Sequence, residues 1–514
     1  MKYIIAYDLG TGGTKASLFD ERGVSLASSF IGCKTYYPAE NFREQKPREW
    51  WDTVVESTKK LMEKTDTDPS SVECLAVSGH SLGAVPIGKD GNLLADQVPI
   101  WSDTRAVLEA DEFFQSIDEE SWYMKTGNGF PAPHYAVFKM MWLKKHHPEW
   151  FYKTDKFIGT KDYINYKMTG RLCTDYSYAS GSGVYDLLGW KYCEEYIRAS
   201  NIPREMFPEI IPSTEIVGTL TFEAAKALGL PDTVKVACGA VDNSCMAAGA
   251  GCIGEGEAYT SLGTSAWIAV SSGKPILNKD QRPYVFTHCI PGKYVSATAI
   301  FSAGNSFQWL RDQVCPDLLA LEQAGGRNAY DAMTLLAETS VPGARRLIFN
   351  PSLAGGSSLD KSVNIRGAFV GLDLSHTRAD LIRAALEGIC MNLKIALDAL
   401  EEHVETSREM LIVGGGANSA FWRGLFADIF DKVVIESNMG QDAGAFGAAM
   451  IAAVGSGLWE NFGEAHKVIQ IKSSVAPDPE RALSYREMVK LFRLVSEVHS
   501  SLSDLLVEGW NKLN

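Results

Sequence analysis

Near its start the chain reads Asp8-Leu9-Gly10-Thr11-Gly12-Gly13-Thr14-Lys15, between apolar segments at residues 2–7 and 14–19 that are predicted to form strands. The three glycines lack a Cβ atom, so the backbone amides of this turn can approach an anion closely. The hydroxyl groups of the two threonines and the ammonium group of the lysine would add donors. The segment therefore predicts a phosphate-binding β-hairpin, and a tight turn that serves only the fold is the alternative for this segment taken alone.

Asp8 ends the first predicted strand and would place a carboxylate beside those phosphate donors. A carboxylate and a phosphate are compatible at close range only if a cation lies between them, so the sequence predicts Mg²⁺ at Asp8, held in part through water. The spacing is neither that of a Walker A loop nor G-x-G-x-x-G, which argues against a P-loop enzyme and against NAD.

The bulk composition narrows the class of protein. A chain of 514 residues is too long for one core, and two or three domains are expected. The formal net charge of -14 argues against nucleic acid as a partner. The ten cysteines form no C-x-x-C pair, which favours reduced thiols over zinc. The N-terminus is too short for a signal peptide and no apolar run is long enough for a membrane span, so a cytoplasmic protein without membrane contact is expected.

The order of the predicted elements indicates an α/β fold, because strands come first and then alternate with helices. A helix is predicted from Pro47 to about residue 65, and a strand at residues 72–78. A second strand-turn-strand at residues 257–270 has Gly263-Thr264 at its tip and echoes the first hairpin. We therefore predict two similarly built domains, residues 1–243 and 244–514, with a cleft between them.

A third glycine-rich segment, Gly414-Gly415-Gly416-Ala417-Asn418, lies between a predicted strand and a predicted helix. A helix start after such a turn is a common place for a nucleotide. Gly263 and Thr264 could supply further amides and a hydroxyl for the phosphates. The alternative for each segment alone is a packing turn.

Taken together, the three glycine segments resemble those of the actin-like, ribonuclease H-like ATPase fold. In more detail the chain resembles the FGGY family of carbohydrate kinases, closest to its xylulokinase branch, over nearly its whole length. Residues 367–372 (GAFVGL) and 380–387 (DLIRAALE) fit the C-terminal signature of that family. Residues 139–143 (KMMWL) fit the N-terminal signature in part, with Ala136 where Pro, Ser or Thr is usual.

The resemblance implies a catalytic role for Asp242. Residues 239–243 (GAVDN) resemble the segment that carries the family's catalytic aspartate, and Asp242 precedes Thr264 by the family's spacing of 22 residues. Asp242 would accept the proton of the sugar hydroxyl and share Mg²⁺ with Asp8. Asp242 and Asn243 would both contact the sugar. Without the resemblance, an N-cap of a helix beginning at Asn243 is the favoured interpretation.

The resemblance also implies the nucleotide contacts in the second half of the chain. Gly304 and Gln308 are similar to nucleotide-binding residues of the family, and Gly414, Gly415 and Asn418 to its adenosine motif. ATP and Mg²⁺ are the cofactors that the resemblance implies.

The sugar side departs from the xylulokinase pattern. Residues 78–84 (SGHSLGA) align with the segment where those enzymes carry a Met-His-Gly sugar contact, and Leu82 stands at the histidine position. His80 either takes that role or caps a strand, and Ser81 lies between the two. This departure puts D-xylulose itself in question.

Three further residues are predicted on the sugar side. Trp101 could stack on the carbon face of a sugar, with core packing as the alternative, and Asp103 could accept two sugar hydroxyls. His134 aligns with a substrate-facing aromatic position of some relatives.

The function predicted from the sequence is transfer of phosphate from ATP to a terminal hydroxyl of a small sugar, a ketopentose such as xylulose. The alternatives are another ketose or polyol (ribulose, fuculose, glycerol or erythritol), or an actin-like ATPase or binding protein without sugar chemistry. A sugar sensor without turnover is disfavoured because it would need neither Asp8 nor Asp242. The resemblance allows for a homodimer.

Overall fold

The computed structural model describes residues 1–512, apart from the side chain of residue 441. The chain forms two compact units that are not contiguous in sequence. Unit 1 consists of Met1–Glu255, Ser271–Ser296 and Asp442–Gln470, and unit 2 consists of Gly256–Val270, Ala297–Gln441 and the chain from Ile471 onward. Each unit contains a β-sheet and helices, so the predicted α/β class is confirmed. The boundary after residue 243 stays a prediction.

The sheet of unit 1 is built around the first hairpin. Its strands are β1 Tyr3–Gly10, β2 Gly13–Asp20, β3 Ser25–Gly32, β4 Val72–Gly79, β5 Ile216–Thr219, β6 Lys235–Ala237 and β7 Ala240–Val241. The order is β5-β6-β4-β1-β2-β3, and β7 also pairs with β4. β1 and β2 are antiparallel, whereas β1, β6 and β7 all run parallel to β4. The carboxyl ends of β1 and β7 therefore lie on either side of the end of β4.

Side chains alternate between the two faces of β1. Ile5, Tyr7 and Leu9 point into a core that includes Trp50 and Val54 of the helix α1, Pro47–Thr65. Ile4, Ala6 and Asp8 occupy the opposite face. In the β1–β2 register Leu9 pairs with Thr14 and Asp8 pairs with Lys15, so the register decides which side chains of the turn can reach a ligand.

Unit 2 repeats the strand-turn-strand arrangement. Five consecutive strands of its sheet have the order β9-β8-β10-β11-β12, with β8 Ala258–Leu262, β9 Ala266–Ser272, β10 Glu409–Val413, β11 Val433–Ser437 and β12 Ile471–Val475. β8 and β9 form the hairpin whose tip contains Gly263 and Thr264, and β10 runs parallel to β8. The predicted echo of the first hairpin is confirmed at the level of strands.

The helices that position functional residues, besides α1, are α2 Ala136–His146, α3 Thr160–Thr169, α4 Asp242–Gly249, α5 Gly304–Val314, α6 Ala329–Glu338, α7 Arg378–Glu401, α8 Ala420–Phe430 and α9 Ala443–Ser456. The longest helix, α10, spans Pro479–Asn511. The remaining α-helices are Val107–Phe113, Glu119–Thr126, Pro148–Phe151, Tyr176–Ala179, Glu194–Ser200, Phe222–Leu228 and Pro316–Gln323. Within residues 1–512, no helix is both long and apolar enough to span a bilayer.

Candidate active site

The ends of two parallel strands bring Asp8 and Asp242 together in unit 1. Asp8 on β1 pairs with Ser78 of β4, and Val241 of β7 pairs with the next residue, Gly79. Residues that follow the carboxyl ends of neighbouring parallel strands meet at one edge of a sheet. Burial raises the pKa of Asp242, and the charge of Asp8 adds to that shift.

Asp242 is the first residue of helix α4, one residue earlier than the predicted helix start. Its side chain is partly buried, and it accepts one hydrogen bond, 2.8 Å from the amide of Asn243. Burial raises the pKa of Asp242 to about 7, and the neighbouring Asp8 adds to the shift. The helix gains no side-chain cap from this carboxylate. A carboxyl group whose pKa lies near neutrality can accept or release a proton at physiological pH.

Asp8 is held at the other side of the same edge. The Ser78 hydroxyl donates to it at 3.1 Å, and its Oδ2 atom faces the first turn of α9, where a Cβ atom on Gly444 would lie 2.9 Å away. Burial raises the pKa of Asp8, Asp442 raises it further, and Ser78 and Lys15 oppose the shift. Gly444 is therefore required for the close approach of α9 to this carboxylate.

The two carboxylates fit a hard divalent cation. Oxygen atoms of carboxylates are the donors that Mg²⁺ prefers, and a cation would relieve the electrostatic penalty that raises the pKa of both groups. In the described part of the chain no cluster of three or more His, Cys, Asp or Glu side chains could hold a metal ion. Two protein carboxylates leave room for phosphate oxygens and water in the coordination shell, as is usual for Mg²⁺ with a nucleotide.

The turn of the first hairpin is fixed by three side chains from elsewhere in unit 1. Gln45 is fully buried, and it donates to the carbonyl of Thr11 at 2.8 Å. The indole N–H of Trp101 donates to the hydroxyl of Thr11 at 2.9 Å. Lys15 forms an ion pair with Asp442, a partner that the sequence did not indicate. Gly12, at the tip, is exposed, and Gly10 is partly exposed.

Two positions of this turn face the protein interior. Thr14 is fully buried and its hydroxyl is 2.7 Å from the hydroxyl of Thr53, so this side chain is used by the fold and not by a ligand. Gly13 has a φ of 150°, and a Cβ atom there would overlap the carbonyl oxygen of Ile31. Only a glycine allows β2 and β3 to approach each other at this point.

A buried ionic network that the sequence did not indicate supports the strand before Asp242. Lys161 of α3 is fully buried and lies 2.5 Å from Asp162 and 3.0 Å from Asp175. Asp175 accepts from the hydroxyl of Ser177, and that hydroxyl oxygen accepts from the backbone amide of Val241 at 3.0 Å. The network thus reaches the residue immediately before Asp242, where a small displacement would move the carboxylate.

Three residues predicted on the sugar side are buried. Leu82 packs in the core of unit 1 at 1% exposure, with its backbone in the left-handed region at a φ of 62°. His80 is equally buried, and neither of its ring nitrogens has a hydrogen-bond partner in the described residues. Asp103 is fully buried, and its oxygens accept from the amide of Arg43 and the guanidinium of Arg105. These side chains present no surface to a sugar, and we leave them out of the proposed contacts.

The environment of His80 keeps it neutral. Its ring packs edge-on against Trp50, with the ring centroids 5.4 Å apart. Burial, with a contribution from the nearby Lys139, lowers the pKa of His80 to about 3. Lys139, in the partial N-terminal signature, donates to the carbonyls of Leu82 at 3.0 Å and Ile100 at 2.7 Å. The lysine of this signature therefore joins the two sugar-side segments through their backbones.

The remaining predicted sugar-side residues keep exposed surface. Trp101 is 38% exposed, and Ser81, His134 and Asn243 are partly exposed. His134 Nδ1 donates a hydrogen bond to the carbonyl of Pro131 at 2.9 Å, and burial lowers the pKa of His134.

Unit 2 contains a cavity of about 390 Å³, within the range of small-ligand sites. Its lining includes six of the seven residues predicted there, namely Gly263, Thr264, Gly304, Gln308, Gly415 and Asn418. The seventh, Gly414, has a φ of 98°, and a Cβ atom there would overlap the carbonyl oxygen of Leu262. Thr264 is exposed at the tip of the β8–β9 hairpin.

The sequence reasoning missed the aromatic wall of this cavity. Phe307, Tyr330 and Trp422 line it, and the ring of Phe307 lies 5.4 Å from that of Tyr330 and 5.5 Å from that of Trp422. Asn328 caps α6 and lies next to Tyr330 at the cavity. The N-cap asparagine before a periodic helix is the signal that could have located this wall, since it fixes where α6 begins.

The Gly304→Ala substitution is expected to disrupt this cavity. A Cβ atom at position 304 would overlap the carbonyl oxygen of Gly263, and the amide of Gly304 donates to that same oxygen at 2.9 Å. Because the obstructing atom belongs to the backbone, the hairpin tip must move, at a cost of about 1–3 kcal/mol. Isothermal titration with an ATP analogue should show affinity reduced by roughly an order of magnitude.

Gly424→Ala in α8 is the matched control, since a Cβ atom there meets nothing within 4 Å. Because position 424 lies within a helix, that variant should be more stable by about 0.5–1 kcal/mol and should keep its affinity for the ATP analogue. Equal affinity of the two variants for the analogue would contradict the account of this cavity.

Comparison with known proteins agrees with this arrangement. The model of the N-terminal domain of the FGGY family of carbohydrate kinases matches residues 3–249, and that of the C-terminal domain matches residues 258–456. A xylulose kinase of Staphylococcus xylosus is 29% identical over 502 residues, covering 96% of this chain and 100% of that protein. A gluconokinase of Bacillus licheniformis is 29% identical over 496 residues, covering 95% and 94%.

A solved structure is similar to this chain over its full length. The ligand-bound xylulose kinase from Lactobacillus acidophilus superposes with a TM-score of 0.88 at 26% identity, covering 100% of both chains. Because the two domain models together match most of the chain, this protein belongs to the FGGY family of carbohydrate kinases.

Proposed function

We propose that this carbohydrate kinase transfers the γ-phosphate of ATP to a terminal hydroxyl of a ketopentose such as xylulose, with Asp242 as the base. The observation that carries the proposal is the position of Asp8 and Asp242 at the ends of strands that flank β4, where burial raises the pKa of both carboxyl groups. Phosphoryl transfer requires a proton acceptor for the sugar hydroxyl and neutralisation of the phosphate charge. These two carboxylates would supply the acceptor and a cation site.

Asp242 has two tasks in this proposal. Its carboxylate orients the sugar hydroxyl and takes its proton as the oxygen attacks the phosphorus atom. The single hydrogen bond from Asn243 leaves acceptor positions on the carboxylate for that hydroxyl. The amide of Val241, bound to Ser177, fixes the backbone just before it, so the base is held by the ionic network of Lys161.

Mg²⁺ held by Asp8 and Asp242 would neutralise charge that develops on the transferred phosphoryl group. Backbone amides near Gly10 and Gly12, with the hydroxyl of Thr11, would hold phosphate oxygens in unit 1. In unit 2, Thr264 and Gly263 would hold phosphate and the aromatic wall around Tyr330 would hold the base of ATP. The ion pair of Lys15 with Asp442 keeps that lysine near the phosphates.

The sugar class rests on the named relatives and on the exposed sugar-side residues. Trp101 offers a ring face, and Ser81, His134 and Asn243 offer hydrogen-bonding groups. The relatives named xylulose kinase support a ketopentose, whereas the relative named gluconokinase adds gluconate to the candidates. Leu82, buried where xylulokinases usually carry a histidine, removes one sugar contact, so the exact sugar follows from experiment.

Turnover over a panel of acceptors tests the proposal. Ketopentoses, other ketoses, polyols including glycerol and erythritol, and gluconate are each added to the protein with Mg²⁺ and ATP, and ADP release is followed. One sugar is expected to stimulate release at least tenfold over the rate without acceptor. If no acceptor stimulates ADP release, and the protein instead assembles with a slow basal ATPase, the actin-like binding function replaces this proposal.

A further inference from the structure

We propose that Trp101 is a positioning residue for the phosphate hairpin: its indole N–H holds the hydroxyl of Thr11 so that the hydroxyl proton points at the phosphates. The sugar-side segment and the phosphate-side turn would thus be one hydrogen-bonded unit. This inference rests on the proposed function, because it assigns Thr11 to the phosphates of ATP.

The contact between the two residues is direct. Trp101 Nε1 lies 2.9 Å from Thr11 Oγ1, across 90 residues of sequence. The indole N–H is the only donor of the tryptophan side chain, so this contact uses all of its hydrogen-bonding capacity. Because the side chain is 38% exposed, a ring face remains available to a sugar while the N–H is engaged.

The backbone of Thr11 is fixed separately. Gln45 is fully buried, and its amide nitrogen donates to the Thr11 carbonyl at 2.8 Å and to the Thr35 hydroxyl at 3.0 Å. Its amide oxygen accepts from the indole of Trp50 at 2.8 Å. Both protons of the amide nitrogen and the amide oxygen of this glutamine are therefore engaged, which holds the Thr11 carbonyl in place.

We call the hydrogen bond from Trp101 to Thr11 the tether. Its direction determines how the Thr11 hydroxyl is oriented. A threonine hydroxyl has one proton and two acceptor positions. Since the indole N–H can only donate, it occupies an acceptor position of Thr11 Oγ1 and leaves the threonine proton for another partner. A hydroxyl that accepts one hydrogen bond also becomes a stronger donor. Thr11 is therefore oriented as a donor towards an anion at the exposed tip of the turn.

Thr14, three residues later, shows the opposite arrangement. Thr53 gives its own proton to the carbonyl of Trp50 at 2.8 Å, so the short contact between the two threonine hydroxyls requires Thr14 to donate. The hydroxyl proton of Thr14 therefore forms a hydrogen bond within the fold. Of the two threonine hydroxyls in residues 8–15, only that of Thr11 keeps a proton for a ligand.

Trp101→Phe tests the tether, because it keeps a ring and removes only the N–H. KM for ATP, KM for the best sugar and kcat are measured for Trp101→Phe, Thr11→Val and the double variant. Trp101→Phe is expected to raise KM for ATP by about 2- to 10-fold, the range for one hydrogen bond, and to leave KM for the sugar within about twofold. The double variant should be no worse than Thr11→Val alone, because both changes remove one interaction.

Trp190→Phe is the matched control, since it also removes one indole N–H that donates to a hydroxyl, that of Tyr294 at 2.7 Å. It should leave KM for ATP unchanged. The tether is overturned if Trp101→Phe matches this control, if its effect is confined to KM for the sugar, or if the effects of Trp101→Phe and Thr11→Val simply add.

Affinity for a non-hydrolysable ATP analogue, measured by titration calorimetry without sugar, separates this inference from the proposed function. If no sugar stimulates the wild-type protein, the proposed function fails, and the comparison of analogue affinity still decides the tether. A loss of about 2- to 10-fold in Trp101→Phe alone supports it. Equal affinity in Trp101→Phe and Trp190→Phe overturns it.

Discussion

The Asp242→Asn variant is expected to lose about 10²- to 10⁴-fold in sugar-dependent turnover, the usual contribution of a positioned general base. Asparagine keeps the shape of the side chain and its position at the start of α4, but it cannot take a proton. Steady-state ADP release with the best sugar of the panel measures the loss. A variant that keeps more than about a third of the wild-type rate would contradict the role of Asp242 as base.

The pH dependence of the wild-type protein follows from the same group. Asp242 must be ionised to act as a base, and its pKa is raised to about 7. The value of kcat/KM for the sugar should therefore level off at high pH and fall about tenfold per unit on the acidic side, and Mg²⁺ held by Asp8 and Asp242 would move this acidic limb below 7. The profile of Asp242→Asn should lack this acidic limb.

Thermal unfolding provides the folding control for Asp242→Asn. Because the pKa of Asp242 is higher in the folded than in the unfolded protein, its contribution to stability is present at low pH and is lost as the pH rises towards 7. Removing the charge should therefore raise Tm at pH 8 by about 1–3 °C, with a smaller change at pH 5. A lower Tm at both pH values would instead indicate that the substitution damages the fold.

The second large effect is expected for Asp8→Asn, which should lower kcat by about 10²- to 10³-fold, as for loss of a principal electrostatic group. The substitution removes one of the two carboxylates proposed to hold Mg²⁺, so the Mg²⁺ concentration required for half-maximal rate should also rise. A titration of MgCl₂ at fixed ATP measures both quantities. An unchanged Mg²⁺ requirement would contradict the assignment of Asp8.

Asp20→Asn is the matched control for Asp8→Asn. Asp20 is a buried carboxylate at the far end of the same hairpin, where it pairs with Arg22 and accepts from the amides of Arg22 and Val24. Its loss should reduce stability and leave the Mg²⁺ requirement unchanged. A general sensitivity of the hairpin to loss of charge would instead affect both variants alike.

Much of the fold follows from local sequence. Helix α1 spans Pro47–Thr65, as expected from its opening proline and its apolar period. The hairpin strands are confirmed within about three residues at each end. These elements are predictable because periodicity and turn glycines act within a few residues. The strand Tyr294–Ile300 was not predicted, although the turn at Pro291-Gly292 comes directly before it.

The position of a site residue could be predicted from the sequence only where the residue stands at the end of a predictable strand. Asp8 and Asp242 each follow an apolar strand, so their meeting at one sheet edge follows from parallel pairing. Whether the side chain of Thr14 faces the core or a ligand depends instead on the register of β1 and β2. It pairs with Leu9 and shares its inward face, whereas Lys15 pairs with Asp8 and reaches Asp442, more than 400 residues away in sequence.

The sugar side was predicted least well. The sequence suggests that Asp103 is an exposed polar residue. In the structure its carboxylate accepts hydrogen bonds from the amide of Arg43, 60 residues earlier, and from the side chain of Arg105. Long-range pairing of this kind has no local signal. His80 and Leu82 are buried for the same reason, since Trp50 and Gly181 pack over them from distant segments.

The central claim is that Asp242 promotes transfer of phosphate from ATP to a sugar, and product analysis tests it most directly. Phosphorus NMR is used to follow ADP and phosphorylated sugar together in the wild-type protein and in Asp242→Asn, with the best acceptor of the panel. We predict one phosphorylated sugar for each ADP in the wild-type protein, and loss of both products in the variant. ADP accompanied by inorganic phosphate instead of a phosphorylated sugar, or equal sugar phosphorylation by the two proteins, would contradict the account.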